Sequence, residues 1–304
     1  MAKFQIYTYM FHPVMEMQGD MSQEEFESID VNKKIEQKQE LLGKILDKYA
    51  DSGEQQEQFE FNGEVYSQRT YLHRDGIYVL RIANNKKTRV EQNFSVMELD
   101  NHPSSLAIID NRHDRQIIAI ERRNAFSEKT SKDSPCLADI IQATFRKKLA
   151  AHRLSVDVKG KYHTAEFWQV VDGSMPLKGI DYVDFPFPYP NLPEISDMVG
   201  PYFTDWGRRT NSEPTLHLKG QNGESVKLSK DDLYILQAIR ACAASGRPIL
   251  IKPKGSLLRK IGLDSPVIEE VADVALKELD KRDLLESKYQ IIVEFLNTIK
   301  LVYE

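Results

Sequence analysis

The sequence predicts an α+β protein: an antiparallel-sheet N-terminal domain with two main helices, followed by a smaller α+β domain. Three observations predict it. Hairpin signals crowd the first half of the chain, two segments there carry apolar residues at helical spacing, and a run of alternating prolines at 185–190 separates that half from a second mixed unit. At 304 residues the chain also exceeds the roughly 50–200 residues of a usual single core, which favours two domains. The boundaries read as 1–180, a proline-rich connector at 181–213, and 214–304.

Each element has its own signal. Residues 3–11 (KFQIYTYMF) are aromatic and β-branched, the pattern of a buried strand. Ile35, Leu41, Leu42, Ile45, Leu46 and Tyr49 recur at helical spacing and predict a helix over about 33–50, with Ser22 as an upstream cap and Gly53 as its stop. Asn62-Gly63 and Asp75-Gly76 lie between short alternating runs, which is the strongest short-range hairpin cue. Residues 105–110 and 116–121 flank a polar loop and read as another hairpin. Ser134-Pro135 predicts a helix start, and Leu137, Ile140, Ile141, Phe145 and Leu149 form its apolar stripe. A strand over 154–159 follows. Strand, helix, hairpins, helix, strand is compatible with a ferredoxin-like core carrying inserted hairpins.

In Phe185-Pro-Phe-Pro-Tyr-Pro190 every second residue is proline, so the segment predicts an extended connector, strapped to the surface by its aromatics, rather than a central strand. Its sharper reading is a docking strip for a partner. Beyond it, Asn222-Gly223 predicts a hairpin, Ser229 to Asp232 a helix cap, Gly246 a helix stop, and 247–255 a short strand. Ser265-Pro266 reads as opening another helix, and the tail 289–304 as a final hairpin.

Composition narrows the function classes. Hydrophobic residues make up 41% and charged residues 29%, the balance of a folded globular chain. The net charge of −5 excludes a protein that is basic all over but leaves room for a local basic patch. Cys136 and Cys242 form no paired motif and read as reduced thiols. No apolar run approaches the ~18–20 residues of a membrane helix and no leader pattern opens the chain, so a cytoplasmic protein with no membrane contact is expected. Dinucleotide and phosphate-loop glycine motifs, zinc-finger spacings and the nucleophile elbow are absent, and no cofactor is expected.

Two sets of residues bear on chemistry. Asp110 ends one strand, and Glu121 with Arg123 ends the strand that pairs with it. An acidic pair with a nearby cation is what a divalent-metal nuclease needs, and Glu121 and Arg123 share a face with period two. Against this, arginine cannot serve as a titratable base. The second set is electrostatic. Between Leu233 and Leu263 lie six basic residues, Arg240, Arg247, Lys252, Lys254, Arg259 and Lys260, and no acid, while 264–286 holds eight acids and three bases. Lys252 to Ser256 suits a phosphate chain through cations and backbone N–H groups. A further basic cluster, Arg146 to Arg153 with Lys159, Lys161 and His163, runs into Tyr162, Phe167 and Trp168, an interleaving used in base stacking.

The block Ile108-Ile109-Asp110-Asn111-Arg112, then Gln116 to Glu121, then Ala125-Phe126-Ser127, resembles uncharacterised bacterial proteins carried on mobile elements and in phage-defence loci. The resemblance covers roughly residues 70–190 and implies a defence setting, with no activity attached. The combined expectation is a non-enzymatic recognition or assembly component that binds DNA or RNA, or a protein partner or second copy of itself. Its rivals are a nuclease using Asp110, Glu121 and Arg123 and a purely protein-binding oligomeric subunit.

Overall fold

The computed structural model describes residues 1–15, 22, 27, 29–50, 56–92, 94–130, 135–174, 179–263, 265–272 and 285–304. The chain enters on strand β1 (Ala2–Pro13) and continues through helices α1 (Val31–Glu36) and α2 (Lys38–Ala50). Strands β2 (Phe59–Phe61), β3 (Glu64–Tyr66), β4 (Gln68–Arg74), β5 (Ile77–Ala83), β6 (Lys86–Gln92), β7 (Ser95–Asn101), β8 (Ser104–Asp110) and β9 (Ile117–Glu121) follow. Helix α3 (Leu137–Leu149), strand β10 (Leu154–Gly160) and helix α4 (Ala165–Ser174) lead to β11 (Ile180–Pro186). Then come α5 (Pro193–Val199), α6 (Pro201–Thr210), β12 (Thr215–Lys219), α7 (Leu233–Ser245), β13 (Ile249–Pro253), β14 (Arg259–Ile261), β15 (Ile268–Val271) and α8 (Leu285–Thr298).

The fold is α+β, built on antiparallel sheets. The larger sheet runs β10-β1-β9-β8-β5-β4, with β15 also paired to β1. Its β10-β1-β9-β8 portion, in the chain order strand, helix, strand, strand, helix, strand, has the ferredoxin-like arrangement, and β2 to β7 are the insertion. Both helical stripes pack on one face: Leu42, Leu46 and Tyr49 from α2 and Ile140, Ile141 and Phe145 from α3 meet Tyr9, Ile109, Ile118 and Val156. The other face is covered as well. Ile292, Phe295 and Leu296 of α8 pack on Phe4, Ile6, Val79 and Ile108.

The smaller sheet runs β12-β11-β13-β14. Helices α4, α5 and α7 pack on one side of it, where Phe167, Ile195, Ile235 and Ile239 meet Val183, Phe185, Ile249 and Ile251. The hairpin β6-β7 forms a two-stranded sheet of its own, with Phe94 almost fully exposed at its turn.

Several expectations shift. Asp30, not Ser22, caps α1, its carboxylate accepting from the N–H groups of Asn32 and Lys33. Residues 268–271 are strand rather than helix, because Ala2–Gln5 of β1 offers them an open edge beside the end of β10. The tail 289–298 belongs to a helix rather than a hairpin. Its apolar residues at 292, 295, 296 and 299 follow the helical period and bury against the first sheet. The chain after β12 makes a short helical turn at Gln221–Gly223 instead of a second strand. Gly53, Ser134 and most of the acidic stretch after residue 272 lie outside the described residues.

The proline strip is interior, not a surface strap. Phe185, Phe187 and Tyr189 are buried, and Asn191 donates to the Phe11 carbonyl while accepting from Gln116 at 3.1 Å. Residues 180–186 form the second sheet's inner strand. Pro186 fits at its end because pairing with β13 stops at Asp184 and only β12 remains alongside, so no ladder donor is needed there.

Candidate nucleic-acid interface

Two strands of the second sheet, β12 and β13, alternate strictly between inside and outside. In β12 the burial pattern is exposed, half-buried, exposed, half-buried, exposed; in β13 it is buried, half-buried, buried, half-buried, buried. The inward set is apolar and joins the helices. Strand register then fixes the outward set. Lys219, Tyr182 and Lys252 stand in one row across β12, β11 and β13. His217, Asp184, Leu250 and Lys260 stand in the next row, across all four strands.

Two aromatic rings on this face are neighbours. Tyr182 and His217 have ring centroids 5.4 Å apart at 40°. Asp184, the acid that the register places here, is hydrogen-bonded to His217 Nδ1 at 2.5 Å. Lys219 and Lys260 are exposed and have no ion-pair partner among the described residues. Lys252 Nζ donates to the Ser256 carbonyl at 2.6 Å, which folds the β13-β14 loop back on its strand. That loop exposes Leu257 and Leu258, and Lys252, Ser256, Leu257 and Arg259 line a shallow concavity beside the face. Lys254 Nζ reaches the Gly223 carbonyl and ties the loop to the turn after β12.

The six-residue basic stretch is therefore divided. Lys252, Lys254, Arg259 and Lys260 gather on and around β13-β14. Arg240 and Arg247 lie elsewhere. Arg240 projects from α7 and pairs with Glu304 at 2.5 Å. Arg247 is nearly buried between Asp157, at 2.9 Å, and Glu213, and its main-chain oxygen accepts from the Tyr162 hydroxyl. Burial opposes ionisation of Asp157, but Arg247 leads a set of cationic neighbours that carries its carboxyl below the usual range.

The basic cluster around α3 is absorbed into structure. Lys147 pairs with Glu60, Lys148 with Glu57 and Arg146 with Asp157, while Tyr162, Phe167 and Lys161 are buried. Neither Tyr162 nor Phe167 is placed to stack on a base.

Asp110 and Glu121 do not converge. In an antiparallel hairpin the last residue of the first strand faces the first residue of the second, and here Asp110 pairs with Ile117. Glu121 lies at the far end, its Oε2 accepting the Leu106 N–H at 3.2 Å, so four strand residues, roughly 13 Å, separate the two carboxylates. Asp110 is fully buried and clamped by the Arg112 guanidinium through two hydrogen bonds, of 2.8 and 2.7 Å, by the Arg112 main-chain N–H at 3.3 Å, and by Arg115 at 3.2 Å. Arg123 approaches Glu121 at 3.6 Å. Among the described residues no three His, Cys, Asp or Glu side chains gather in a metal-holding group.

Sequence reading missed Tyr182, His217 and Lys219. The available signal was the alternation in TLHLK and IDYVD, which marks strands with one wet face. Among the described residues no helix is long and apolar enough to cross a membrane. Comparison of the chain with family models, curated proteins and solved structures finds no match.

Proposed function

We propose that this protein is a recognition component that binds single-stranded nucleic acid on the open face of its second sheet. The observation that carries the reading is the register row Lys219-Tyr182-Lys252, with His217 and Lys260 beside it, on a face that no helix among the described residues covers, while helices fill the other side. A single strand laid over such a face stacks bases on rings and sets its phosphates against flanking lysines. Leu250 and the exposed Leu257 add apolar contact. No reacting group is assigned, since the carboxylates expected to act as a pair stand apart. A bacterial antiviral-defence setting is supported by the resemblance of residues 70–190 alone.

The test is fluorescence anisotropy with labelled single- and double-stranded DNA and RNA at low and moderate salt. Single strands should bind with a steep salt dependence. The paired change Lys219→Glu with Lys252→Glu should flatten that dependence, since each lost phosphate contact lowers the slope by roughly 0.7 for a single strand. Tyr182→Ala should weaken binding by about 1–3 kcal/mol per base stacked. No binding at low salt overturns the reading. Light scattering would then ask whether the protein assembles through protein contacts, for which the β6-β7 hairpin with its exposed Phe94, Met97 and Leu99 is the surface on offer.

A further inference from the structure

The open face of the second sheet holds one pair of side chains that binding alone leaves unused. His217 of β12 and Asp184 of β11 are direct register partners, joined by the hydrogen bond between His217 Nδ1 and the Asp184 carboxylate. A carboxylate only accepts, so Nδ1 carries the imidazole proton. The neutral ring then holds its lone pair on Nε2, and Nε2 has no partner among the described residues. The His217 side chain is 53% exposed and that of Asp184 20%. The acid sits back in the sheet and the base stands out from it. A general base with its orienting group is arranged in this way.

Two neighbours complete the setting. Lys219 follows His217 by two residues in β12, so both side chains leave the same face, roughly 7 Å apart along the strand. The Tyr182 ring lies 5.4 Å from the His217 ring, and Tyr182 is the register partner of Lys219. Base, cation and stacking surface therefore lie side by side on two adjacent strands.

We infer that this face cleaves single-stranded RNA without a metal ion, with His217 as general base, Asp184 as its positioning residue and Lys219 as the cation on the scissile phosphate. The inference rests on the strand-binding reading of the same face. His217 Nε2 takes the proton of a ribose 2′-hydroxyl. The 2′-oxygen attacks the adjacent phosphorus, so that the P–O2′ bond forms and the P–O5′ bond breaks. The 5′-oxygen leaves with a proton from water, and the imidazolium returns its proton to the hydroxide so formed. The products are a 2′,3′-cyclic phosphate and a 5′-hydroxyl, and no atom or electron is gained or lost overall. Asp184 stabilises the imidazolium while it exists, and Lys219 meets the charge that grows on the phosphorane oxygens. Stacking on Tyr182 holds the nucleotide so that its hydroxyl and phosphorus are presented together. DNA lacks the attacking hydroxyl, so the same face binds it and leaves it whole.

The test uses the full chain in EDTA with two labelled single strands. One is DNA carrying a single ribouridine, and the other is the all-DNA strand of the same sequence. Gel and mass analysis should show one cut, on the 3′ side of the ribonucleotide, ending in a cyclic phosphate, with the all-DNA strand intact. His217→Ala should slow the cut by about 10²–10⁴-fold. Asp184→Asn should lower kcat by about tenfold or more with KM no higher, whereas damage to the sheet would raise KM. Both strands bound and neither cut overturns the inference and leaves the strand-binding reading in place. Neither strand bound removes that reading and the inference with it. Cutting that persists in His217→Ala assigns the reaction to other residues and overturns the inference too.

Discussion

The two sheets of this protein use the same antiparallel pairing and finish differently. The first is buried on both faces, by α2 and α3 on one side and α8 on the other. Its strands β8 and β9 show it, with every residue from Ser105 to Asp110 and from Ile117 to Glu121 buried. Among the described residues the second is covered by helices on one face only, and β12 alternates along its length. A sheet sealed on both sides has no surface left for a ligand except at its ends, so it serves as scaffold and offers clefts at its rim. A sheet sealed on one side presents a ready surface, and the chemistry of its outward residues decides what that surface meets.

The largest test of the contrast removes the cover. Leu296 of α8 is fully buried against the first sheet, and Leu296→Ala should cost about 2–5 kcal/mol in chemical denaturation. Leu250→Ala removes the same side chain from the open face of the second sheet and should stay within about 0.5 kcal/mol. Equal costs at the two positions would mean that the second sheet's outer face is covered after all.

The joint between the sheets yields a pH signature. Lys161 follows β10, and its main chain bonds to Ile6 on one side and Val267 on the other. The residue is 2% exposed, and its ammonium donates to the carbonyls of Lys300 and Leu301 at 3.2 and 3.1 Å. Burial first, and Arg115 second, lower its pKa to about 7. In the unfolded chain a lysine titrates near about 10.4. Between those values the unfolded chain holds a proton that the folded one has released, so stability rises with pH from about 7 toward 10 and levels off below 7, where both states are protonated. Lys161→Met should flatten this rise, whose limit is about 1.4 kcal/mol per pH unit for one group. The variant's advantage should be widest at pH 7 and below and close near pH 10. Urea unfolding of both proteins across pH 6 to 9.5 reads it, and parallel curves would mean that Lys161 stays charged.

Much of the first sheet was legible in the sequence because local signals and tertiary demands agree there. Asn62-Gly63 and Asp75-Gly76 make their turns, with positive φ at both positions of each pair, and the stripes of α2 and α3 land on the core. The second region was harder for identifiable reasons. Pro193 and Pro201 open α5 and α6 at the first helical position, but beside 185–190 they read as more of the connector. The tail is a helix because the first sheet's far face needed covering, a demand that no window of sequence displays. At the site, the basic stretch was legible as a run of charges and misleading as a surface. Neighbours in sequence point to opposite sides of a strand or sit on different elements, and the face is assembled from β11 and β12 as much as from the stretch itself.

That last distinction gives the smallest expected effect and the finest discrimination. Arg240 belongs to the basic run by sequence, but it projects from α7 and pairs with Glu304, both side chains being largely exposed. An exposed pair of this kind contributes about 0–1 kcal/mol to stability. Arg240→Glu reverses a charge of the run without touching Lys219, Tyr182, Lys252 or Lys260. If the net charge of the stretch drives association, anisotropy should show a loss of affinity and a shallower salt slope, much as for Lys252→Glu. If the strand register defines the surface, Arg240→Glu should bind single strands as the parent protein does, with the slope unchanged, while Lys252→Glu loses about one phosphate contact. Equal losses in the two variants would spread the interface over α7 and reduce the sheet face to one part of a larger basic surface. A loss confined to Lys252→Glu ties recognition to the β-sheet geometry.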